Sequence, residues 1–303
     1  MNNPLVSIII PTYARPTNLI RAIESVLTQT YTPIEIIVVD DNGVNTPFQK
    51  ETEQLLAPYL SDGKLTYLKH DVNKNGSAAR NTGSRASHGE LIGYLDDDDT
   101  FMPTKIEEQV RRLQEAHTVN SKVMGIYCNI EMIGYKMKFE PTDTVKEGNL
   151  SEPIMAGEIN LNSSTLLMYR SAYDDINGWD ERFPHHQDWE FCLRFFRKYE
   201  MALARPDICL VRKFRTPNLN FLNPKRKACN MDFFLTEMLP DFMNMPNGCA
   251  VLSKRYLEAT KYAFENRQYR FGLAMLKKAN SFKNIGVTGY YQLLKGLIKG
   301  IIA

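Results

Sequence analysis

The chain has 303 residues, of which 43% are hydrophobic and 24% are charged. This composition is ordinary for a soluble globular protein, and the length suits one large domain with an appendage, or two domains. The net charge of +2 makes no case for nucleic acid as a partner. We expect neither a signal peptide nor a membrane-spanning segment, because the first residues lack a basic start and no apolar run approaches about 18 to 20 residues.

The charge is unevenly distributed along the chain. Residues 241–303 hold ten lysines and arginines against three acids, a net charge of +7, so residues 1–240 carry −5 by difference from the total of +2. A basic C-terminal segment on a mildly acidic body favours an anionic surface as partner. The five cysteines are widely spaced without a C-x-x-C pair. They argue against a zinc knuckle or a disulfide framework and favour a reduced, cytoplasmic setting.

The first hundred residues predict alternating strands and helices. Short runs of β-branched residues are typical of buried parallel strands, and apolar residues at helical spacing separate these runs. In chain order we predict a strand over 5–10 that Pro11 stops, a helix over 18–29, a strand over 34–41, a helix over 52–60, a strand over 64–70, a turn and helix over 76–87, and a strand over 90–99. This alternation predicts an α/β fold with a doubly wound, mostly parallel, Rossmann-like sheet.

Helices dominate the later part of the chain. In chain order we predict a helix over 104–117, strands over 123–133 and 162–170, a helix directly after Asp188, a helical hairpin over 256–282 and a short amphipathic helix over 290–302. Beyond about residue 225 the pattern predicts helices only. We therefore place one domain at 1–225 and a helical C-terminal extension at 226–303.

Polar residues follow the predicted strands where each strand ends. Asp40 and Asp41 end the second strand, and the four residues 96–99, all aspartate, end the fourth. The segment 11–13 follows the first strand. Because ligands of such sheets bind beyond the carboxyl ends of the strands, we expect these residues to converge on one crevice.

Four adjacent carboxylates repel one another, so the run at 96–99 requires a positive partner. A hard divalent cation, magnesium or manganese, is one candidate, since it takes one or two carboxylates and completes its shell with water and phosphate oxygens. Asp96 and Asp98 share a face if the strand persists. The alternative is an aspartate-rich turn that caps the helix beginning near Thr104.

Three stretches of the chain carry a resemblance to a known family. They are "VSIIIPTYARPTNLIRAIESVLTQTYTPIEIIVVDDN", "NGSAARNTGSRASHGELIGYLDDDD" followed by "MP", and "INGWDERFPHHQDWEFCLR". Their order and spacing resemble the inverting glycosyltransferases of family 2, which have the GT-A fold. The likeness covers roughly residues 4–215.

The resemblance implies a nucleotide-binding role for the residues after the first two strands. Pro11, Thr12, Tyr13 and Asp41 would line the base pocket, with the Asp41 carboxylate accepting from the imide of the base. Arg80, in "AARN", would lie near the nucleotide and its diphosphate.

The resemblance also assigns the acids. Asp96, Asp97 and Asp98 correspond to the D-x-D region, in which Asp98 would contact Mn²⁺ or Mg²⁺ and Asp96 the ribose or the metal. Asp188 occupies the position of the general base, which takes the proton of the acceptor hydroxyl. The family usually has Glu-Asp there, whereas this chain has Gln187 before Asp188, a change that bears on acceptor contacts. By position alone, Asp188 could equally be a helix N-cap.

The resemblance implies transfer of one sugar from a nucleotide-sugar, a UDP-sugar in our reading, to a glycan acceptor, with inversion. We take the acceptor to be a lipid-linked glycan of a bacterial surface polysaccharide. A processive polymerase is disfavoured, because neither Q-x-x-R-W nor a membrane span is present. Two rivals stay open: a sugar-nucleotide nucleotidyltransferase, although the loop "PTYARPT" lacks glycine, and a catalytically silent glycan-binding protein on the same fold.

Several further residues allow two interpretations each. His185 and His186 could be metal ligands but suit a surface or acceptor pocket better. Trp179 and Trp189 could stack on sugar rings or pack in the core, and the segment 162–165 could line the acceptor side. The apolar stripe of the last predicted helix could rest on an anionic membrane, giving a peripheral protein on the inner face of the cell membrane, or pack on protein, including a second subunit.

Overall fold

A computed structural model of the protein describes residues 3–134, 146–159, 161–214 and 224–284, together with Leu293 and Ile298. The chain divides into two compact units. The first lies within Met1–Leu150 and Leu161–Leu219, and the second within Ser151–Asn160 and Asn220–Ala303. The membership of the short segment 151–160 in the second unit was not foreseen from the sequence.

Among the described residues, the first unit contains an eight-stranded sheet. Its strands are β1 (Val6–Thr12), β2 (Ile34–Asp40), β3 (Thr66–Lys69), β4 (Leu91–Tyr94), β5 (Asp99–Phe101), β6 (Val123–Ile133), β7 (Leu167–Tyr169) and β8 (Glu200–Phe214). Their order across the sheet is β3-β2-β1-β4-β7-β6-β8-β5. The β1–β4 block and the β6–β8 pair are parallel, whereas β7 and β5 run antiparallel to their neighbours. The predicted mostly parallel α/β sheet is thereby confirmed.

The helices fall partly where they were predicted: the first four, the one that begins at Gln187 and the C-terminal hairpin agree, whereas those at Ser151–Ala156 and Arg170–Asp175 were not predicted. The helices are α1 (Pro16–Leu27), α2 (Pro47–Ser61), α3 (Gly76–Ala86), α4 (Lys105–Val119), α5 (Ser151–Ala156), α6 (Arg170–Asp175), α7 (Gln187–Phe196), α8 (Pro224–Glu237), α9 (Leu239–Met243), α10 (Gly248–Glu265) and α11 (Tyr269–Phe282). Apolar residues of α1 and α4 pack on the sheet in one core cluster, which includes Ile8, Ile10, Leu19, Ile23 and Leu113. The 3.6-residue periodicity that predicted these helices therefore marks their buried faces.

Several strands differ from the prediction. β7 begins at Leu167 instead of residue 162, and β5 and β8 were not predicted as separate strands. Two strand ends also differ. β1 continues through Pro11 to Thr12 instead of stopping. β4 pairs only with residues Val6 to Ile9 of β1. From Ile10 onward, β1 pairs as a strand with β2 alone. Pro11 therefore lies where β1 has no strand on its other side, and its missing N–H breaks no pairing between strands. The fourth strand ends at Tyr94, so Asp96, Asp97 and Asp98 lie in a loop, and Asp99 begins β5.

The second unit is helical in its described part. α10 and α11 form the helical hairpin predicted from the sequence. Arg255 Nε donates to the carbonyl oxygen of Met155 at 2.7 Å, and Lys254 Nζ donates to that of Ala156 at 2.9 Å. These bonds satisfy two carbonyls at the end of α5 and attach it to α10. The predicted helix over 290–302 lies outside the described residues, apart from Leu293 and Ile298.

No helix in the part of the chain that the structure describes combines the length and the apolarity needed to cross a bilayer.

The approach of Gly89 to the start of β1 gives a test of the fold. A methyl group at Gly89 would lie 2.3 Å from Ser7 Oγ and 2.8 Å from the backbone oxygen of Leu5. We expect Gly89→Ala to lower the free energy of unfolding by about 1–3 kcal/mol in chemical denaturation, because backbone must move. At Gly63 a methyl group meets nothing within 4 Å and only a φ of +64° opposes it, so Gly63→Ala should cost less. Equal losses would contradict this packing.

Candidate active site

The ends of β1, β2 and β4 meet, as the sequence predicted. The backbone N–H of Asp41 donates to the carbonyl oxygen of Thr12 at 2.9 Å, which joins the ends of β1 and β2. Thr12 Oγ1 donates to Asp97 Oδ2 at 2.8 Å, and the backbone N–H of Tyr13 reaches the same oxygen at 3.3 Å. The residues after β1, β2 and β4 therefore lie together at one edge of the sheet.

The first acid of the run, Asp96, is bound from two elements. Its Oδ1 accepts from Arg80 Nη2 at 2.7 Å and from Ser163 Oγ at 2.9 Å. Burial would raise the pKa of Asp96, but the charges of Arg80 and Lys213 outweigh burial and lower it to about 2. Asp96 is therefore anionic at neutral pH, and its side chain keeps 21% of its surface exposed.

The next two acids share one arginine. Arg15 Nη2 lies 2.8 Å from Asp97 Oδ1, and Arg15 Nη1 donates to Asp98 Oδ2. Burial raises the pKa of Asp97 to about 7 against the opposing charge of Arg15. The guanidinium thus bridges a fully buried carboxylate and a neighbour that lies nearer to solvent.

The last acid, Asp99, is the first residue of β5. Its Oδ2 accepts from Ser164 Oγ at 2.7 Å and lies 4.0 Å from Lys213 Nζ. Burial raises the pKa of Asp99 to about 7, and Lys213 opposes that rise. The positive charge required by the acidic run therefore comes, in this structure, from Arg15, Arg80 and Lys213. Neither Arg15 nor Lys213 was singled out from the sequence.

Asp41 is held entirely by protein donors. His70 Nδ1 lies 2.7 Å and the Lys74 N–H 2.7 Å from Oδ1, while Asn73 Nδ2 and the Asn75 N–H donate to Oδ2 at 2.9 Å each. These four contacts match the lone pairs of a carboxylate. A base imide would have to share an oxygen that is already bonded, so the predicted imide contact stays a prediction.

Arg80 lies at the centre of the site. Besides Asp96, its guanidinium donates to Gln187 Oε1 and to Ser163 Oγ, both at 3.0 Å. Its Cζ atom lies 4.8 Å from the centroid of the Trp179 ring. Gln187 in turn donates through Nε2 to the carbonyl oxygen of Phe183 at 3.0 Å. An amide therefore suits this position, because its oxygen faces a cation and its nitrogen faces a carbonyl.

Asp188 lies in the first turn of α7, and His186 occupies the N-cap position without a side-chain capping bond. The Asp188 carboxylate instead accepts from the backbone N–H of Ser163 at 3.2 Å. The alternative interpretation of Asp188 as the N-cap is therefore wrong. Burial raises the pKa of Asp188 against the opposing charge of Arg80.

The turn Ser163–Thr165 connects the acids. Ser163 donates through Oγ to Asp96 and through its N–H to Asp188. Ser164 donates through Oγ to Asp99 and accepts from the N–H of Asp96 at 3.0 Å. The sequence offered only a weak sign of this role, the polar run "NSST" ahead of an apolar strand.

The structure decides between the two interpretations of Trp179. Trp179 is 2% exposed and stacks on Phe191 with ring centroids 4.2 Å apart, so it packs in the core and does not offer a face to a sugar. His186 stacks on Trp189 with centroids 4.9 Å apart. Within the described ranges, no three or more His, Cys, Asp or Glu residues are grouped so as to hold a metal.

A divalent metal fits this site in one way. At most two carboxylates, those of Asp98 and Asp96, would contribute, and water and phosphate oxygens would complete the shell. That is the donor set by which Mg²⁺ is commonly bound at phosphate-handling sites, and carboxylate oxygens suit Mn²⁺ equally. The residues present therefore fit a metal that arrives with a diphosphate rather than a permanent cage.

A buried lysine is linked to the turn Ser163–Thr165 through a glutamine. Lys105, at the start of α4, is fully buried and donates to Gln109 Oε1 at 2.7 Å. Gln109 Nε2 donates to the carbonyl oxygen of Thr165 at 2.9 Å. This chain of bonds holds the far end of the turn Ser163–Thr165 to α4.

The buried lysine predicts a dependence of stability on pH. Burial lowers the pKa of Lys105 from 10.5 to about 8, so between these values the unfolded chain binds more protons than the folded one. Stability should therefore rise with pH in this window. Relative to Lys105→Met, the wild-type free energy of unfolding should rise by up to about 3 kcal/mol across it.

Urea unfolding from pH 7 to 10.5 measures this effect. The exposed Lys122→Met should follow the wild-type curve. A wild-type curve that runs parallel to that of Lys105→Met would show that Lys105 does not titrate there.

Known proteins share this fold. The mostly parallel sheet and the helices that pack on it form a GT-A fold. The family model "Glycosyl transferase family 2" matches residues 7–174, and the chain belongs to that family. The resemblance and the fold class predicted from the sequence are thereby confirmed.

Curated relatives cover much of the chain. An uncharacterized glycosyltransferase of Rickettsia bellii is 28% identical over 269 residues, which are 86% of this chain and 38% of the relative. The amylovoran biosynthesis glycosyltransferase AmsB of Erwinia amylovora is 26% identical over 191 residues, 62% of each chain. This chain spans between 31% and 59% of the length of four rickettsial relatives that it matches.

Solved structures share the fold. Residues 1–349 of Staphylococcus aureus TarS, in complex with UDP-GlcNAc, align with a TM-score of 0.64 at 15% identity over 98% of this chain and 80% of that one. The mannosyltransferase PcManGT of Pyrobaculum calidifontis, in complex with GDP-Man and Mn²⁺, aligns with a TM-score of 0.60 at 15% identity over 99% of this chain and 81% of that one.

Proposed function

We propose that this protein is an inverting, metal-dependent glycosyltransferase. It moves one sugar from a UDP-sugar to a hydroxyl of a glycan acceptor in the synthesis of a surface polysaccharide. One observation carries the proposal: a single residue, Ser163, bonds both Asp96 and Asp188. A carboxylate of the donor-binding loop and a candidate base are thereby held beside each other, as transfer between two bound substrates requires.

Asp188 is the general base of the proposed reaction. An acceptor hydroxyl is a poor nucleophile at neutral pH, so a carboxylate within hydrogen-bond reach must take its proton. Burial raises the pKa of Asp188, which makes it a stronger base than an exposed aspartate. In-line attack opposite the leaving group inverts the anomeric carbon without a covalent intermediate.

Arg80 and the acidic loop serve the donor. Asp98 and Asp96 would hold the metal, which when bound offsets the charge that grows on the leaving diphosphate. Arg80 places a permanent cation beside Asp96 and offers it to the same diphosphate. Pro11, Thr12, Tyr13 and Asp41 line the base pocket in this proposal.

The identity of the substrates is inferred from relatives. TarS structures contain UDP-GlcNAc or UDP, and the PcManGT structure contains GDP-Man and Mn²⁺. AmsB is named for amylovoran biosynthesis, and WcaA of Escherichia coli, 38% identical over 117 residues, is named for colanic acid biosynthesis. The UDP ligands of TarS support a UDP-sugar donor, and the names of AmsB and WcaA support a glycan acceptor. We further propose that the acceptor is lipid-linked and is reached by peripheral contact of the basic C-terminal segment with the membrane, to which its net charge of +7 suits it.

Replacing the base tests the proposal. Asp188→Asn should lower sugar transfer and manganese-dependent donor hydrolysis by about 10²- to 10⁴-fold, because no group then accepts the proton. Binding of UDP with Mn²⁺ should persist, as measured by calorimetry. The exposed Asp174→Asn is the matched control and should be fully active. Full activity of Asp188→Asn would show that Asp188 is not the general base.

A panel of sugar nucleotides would supply the donor for these assays, with hydrolysis in Mn²⁺ as the readout. We expect one UDP-sugar to be preferred over the GDP-sugars. Preference for a GDP-sugar would contradict the donor class while leaving the role of Asp188 intact.

Replacing Ser163, which bonds both Asp96 and Asp188, should lower activity less than replacing Asp188. Ser163→Ala removes the Oγ bond to Asp96 but keeps the backbone N–H that Asp188 accepts. We expect kcat to fall by roughly tenfold, the worth of one charge-assisted hydrogen bond, with little change in the melting temperature. The exposed Ser171→Ala should behave as wild type. An unchanged kcat would show that Ser163 does not set the position of Asp96.

A further inference from the structure

Arg15 contacts two acids of the site but has no role in the proposed function. It lies between β1 and α1 and follows Ala14, whose φ is +56° and whose N–H donates to Asn42 Oδ1 at 2.7 Å. This bond fixes the backbone of the loop. From there the guanidinium reaches Asp97 Oδ1 at 2.8 Å and also pairs with Asp98 Oδ2.

The surroundings of Arg15 differ from those of Arg80. The Arg80 side chain is 8% exposed and bonded to three different residues, whereas that of Arg15 is 31% exposed. If Arg15 leaves, Asp97 Oδ2 keeps its bonds from Thr12 and Tyr13, while Asp97 Oδ1 loses its contact at 2.8 Å. The guanidinium of Arg15 is therefore more readily exchanged than that of Arg80.

The other carboxylate that Arg15 holds, Asp98, is the one that would bind the metal. A guanidinium and a divalent cation on the same carboxylate repel each other. The diphosphate that accompanies the metal supplies several anionic oxygens, which can accept two N–H groups of the planar guanidinium. Departure from Asp98 and arrival on the diphosphate are therefore coupled.

We propose that Arg15 is a diphosphate-binding residue that pairs with Asp98 until the donor arrives and then passes to the donor's phosphates. This inference rests on the proposed function. Arg15 competes with the metal when no nucleotide is present and assists the metal–nucleotide complex when it is. A residue with a merely structural role would not give effects of opposite sign on these two binding steps.

Two variants test this exchange. Arg15→Met keeps the apolar stem and removes the charge, while Arg15→Lys keeps the charge but cannot span both carboxylates. Mn²⁺ binding without nucleotide is followed by the electron paramagnetic resonance of free Mn²⁺, and UDP binding at fixed Mn²⁺ by calorimetry. For Arg15→Met we expect Mn²⁺ to bind about two- to fivefold tighter and UDP about tenfold weaker. Arg15→Lys should shift both in the same directions by less.

The exposed Arg111→Met, which loses a cation that pairs with Glu108 and Glu115 on the surface of α4, should change neither affinity. Unchanged or weaker Mn²⁺ binding by Arg15→Met would overturn the competition. Unchanged UDP binding would overturn the transfer to phosphate. If the wild-type protein binds neither Mn²⁺ nor UDP, the proposed function itself fails, and the two failures are thereby distinguished.

Discussion

The structure of the site depends on compensating the charge of four adjacent carboxylates between the end of β4 and the start of β5. Asp96 to Asp99 would repel one another strongly at low dielectric, and each is instead paired or hydrogen-bonded by a group from elsewhere in the chain. Arg15 comes from the loop after β1, Arg80 from α3 and Lys213 from β8. Because three separate elements supply these cations, the charge balance of the loop also fixes where those elements meet.

The turn Ser163–Thr165 connects the acidic run to Asp188 through hydrogen bonds. Its two serines donate to Asp96 and Asp99, and the N–H of Ser163 donates to Asp188. Gln109 holds the same turn from α4. A short segment bonded on every side in this way is preorganised, and preorganised dipoles beside a reacting centre cost no rearrangement during the reaction.

Much of this arrangement was predicted from the sequence. The contacts that were not predicted share one cause, which is that they join residues far apart in the chain. Local periodicity located the strands up to β4 and placed Asp41 and the acidic run at one edge of the sheet. It could not reveal that Arg15 pairs with Asp98 or Lys213 with Asp99, since such partners lie 83 and more residues apart. The saturation of Asp41 by four donors, and the passage of β1 through Pro11, likewise depend on neighbouring elements rather than on local pattern.

The proposed reaction requires a diphosphate and a divalent ion to meet at the loop after β4. A crystal structure of the wild-type protein grown with UDP and Mn²⁺ tests this most directly. We predict density for Mn²⁺ against Asp98, the diphosphate between that ion and Arg80, and the Arg15 guanidinium on a phosphate oxygen. Density for the nucleotide away from this loop, with Arg15 still paired to Asp98, would contradict it.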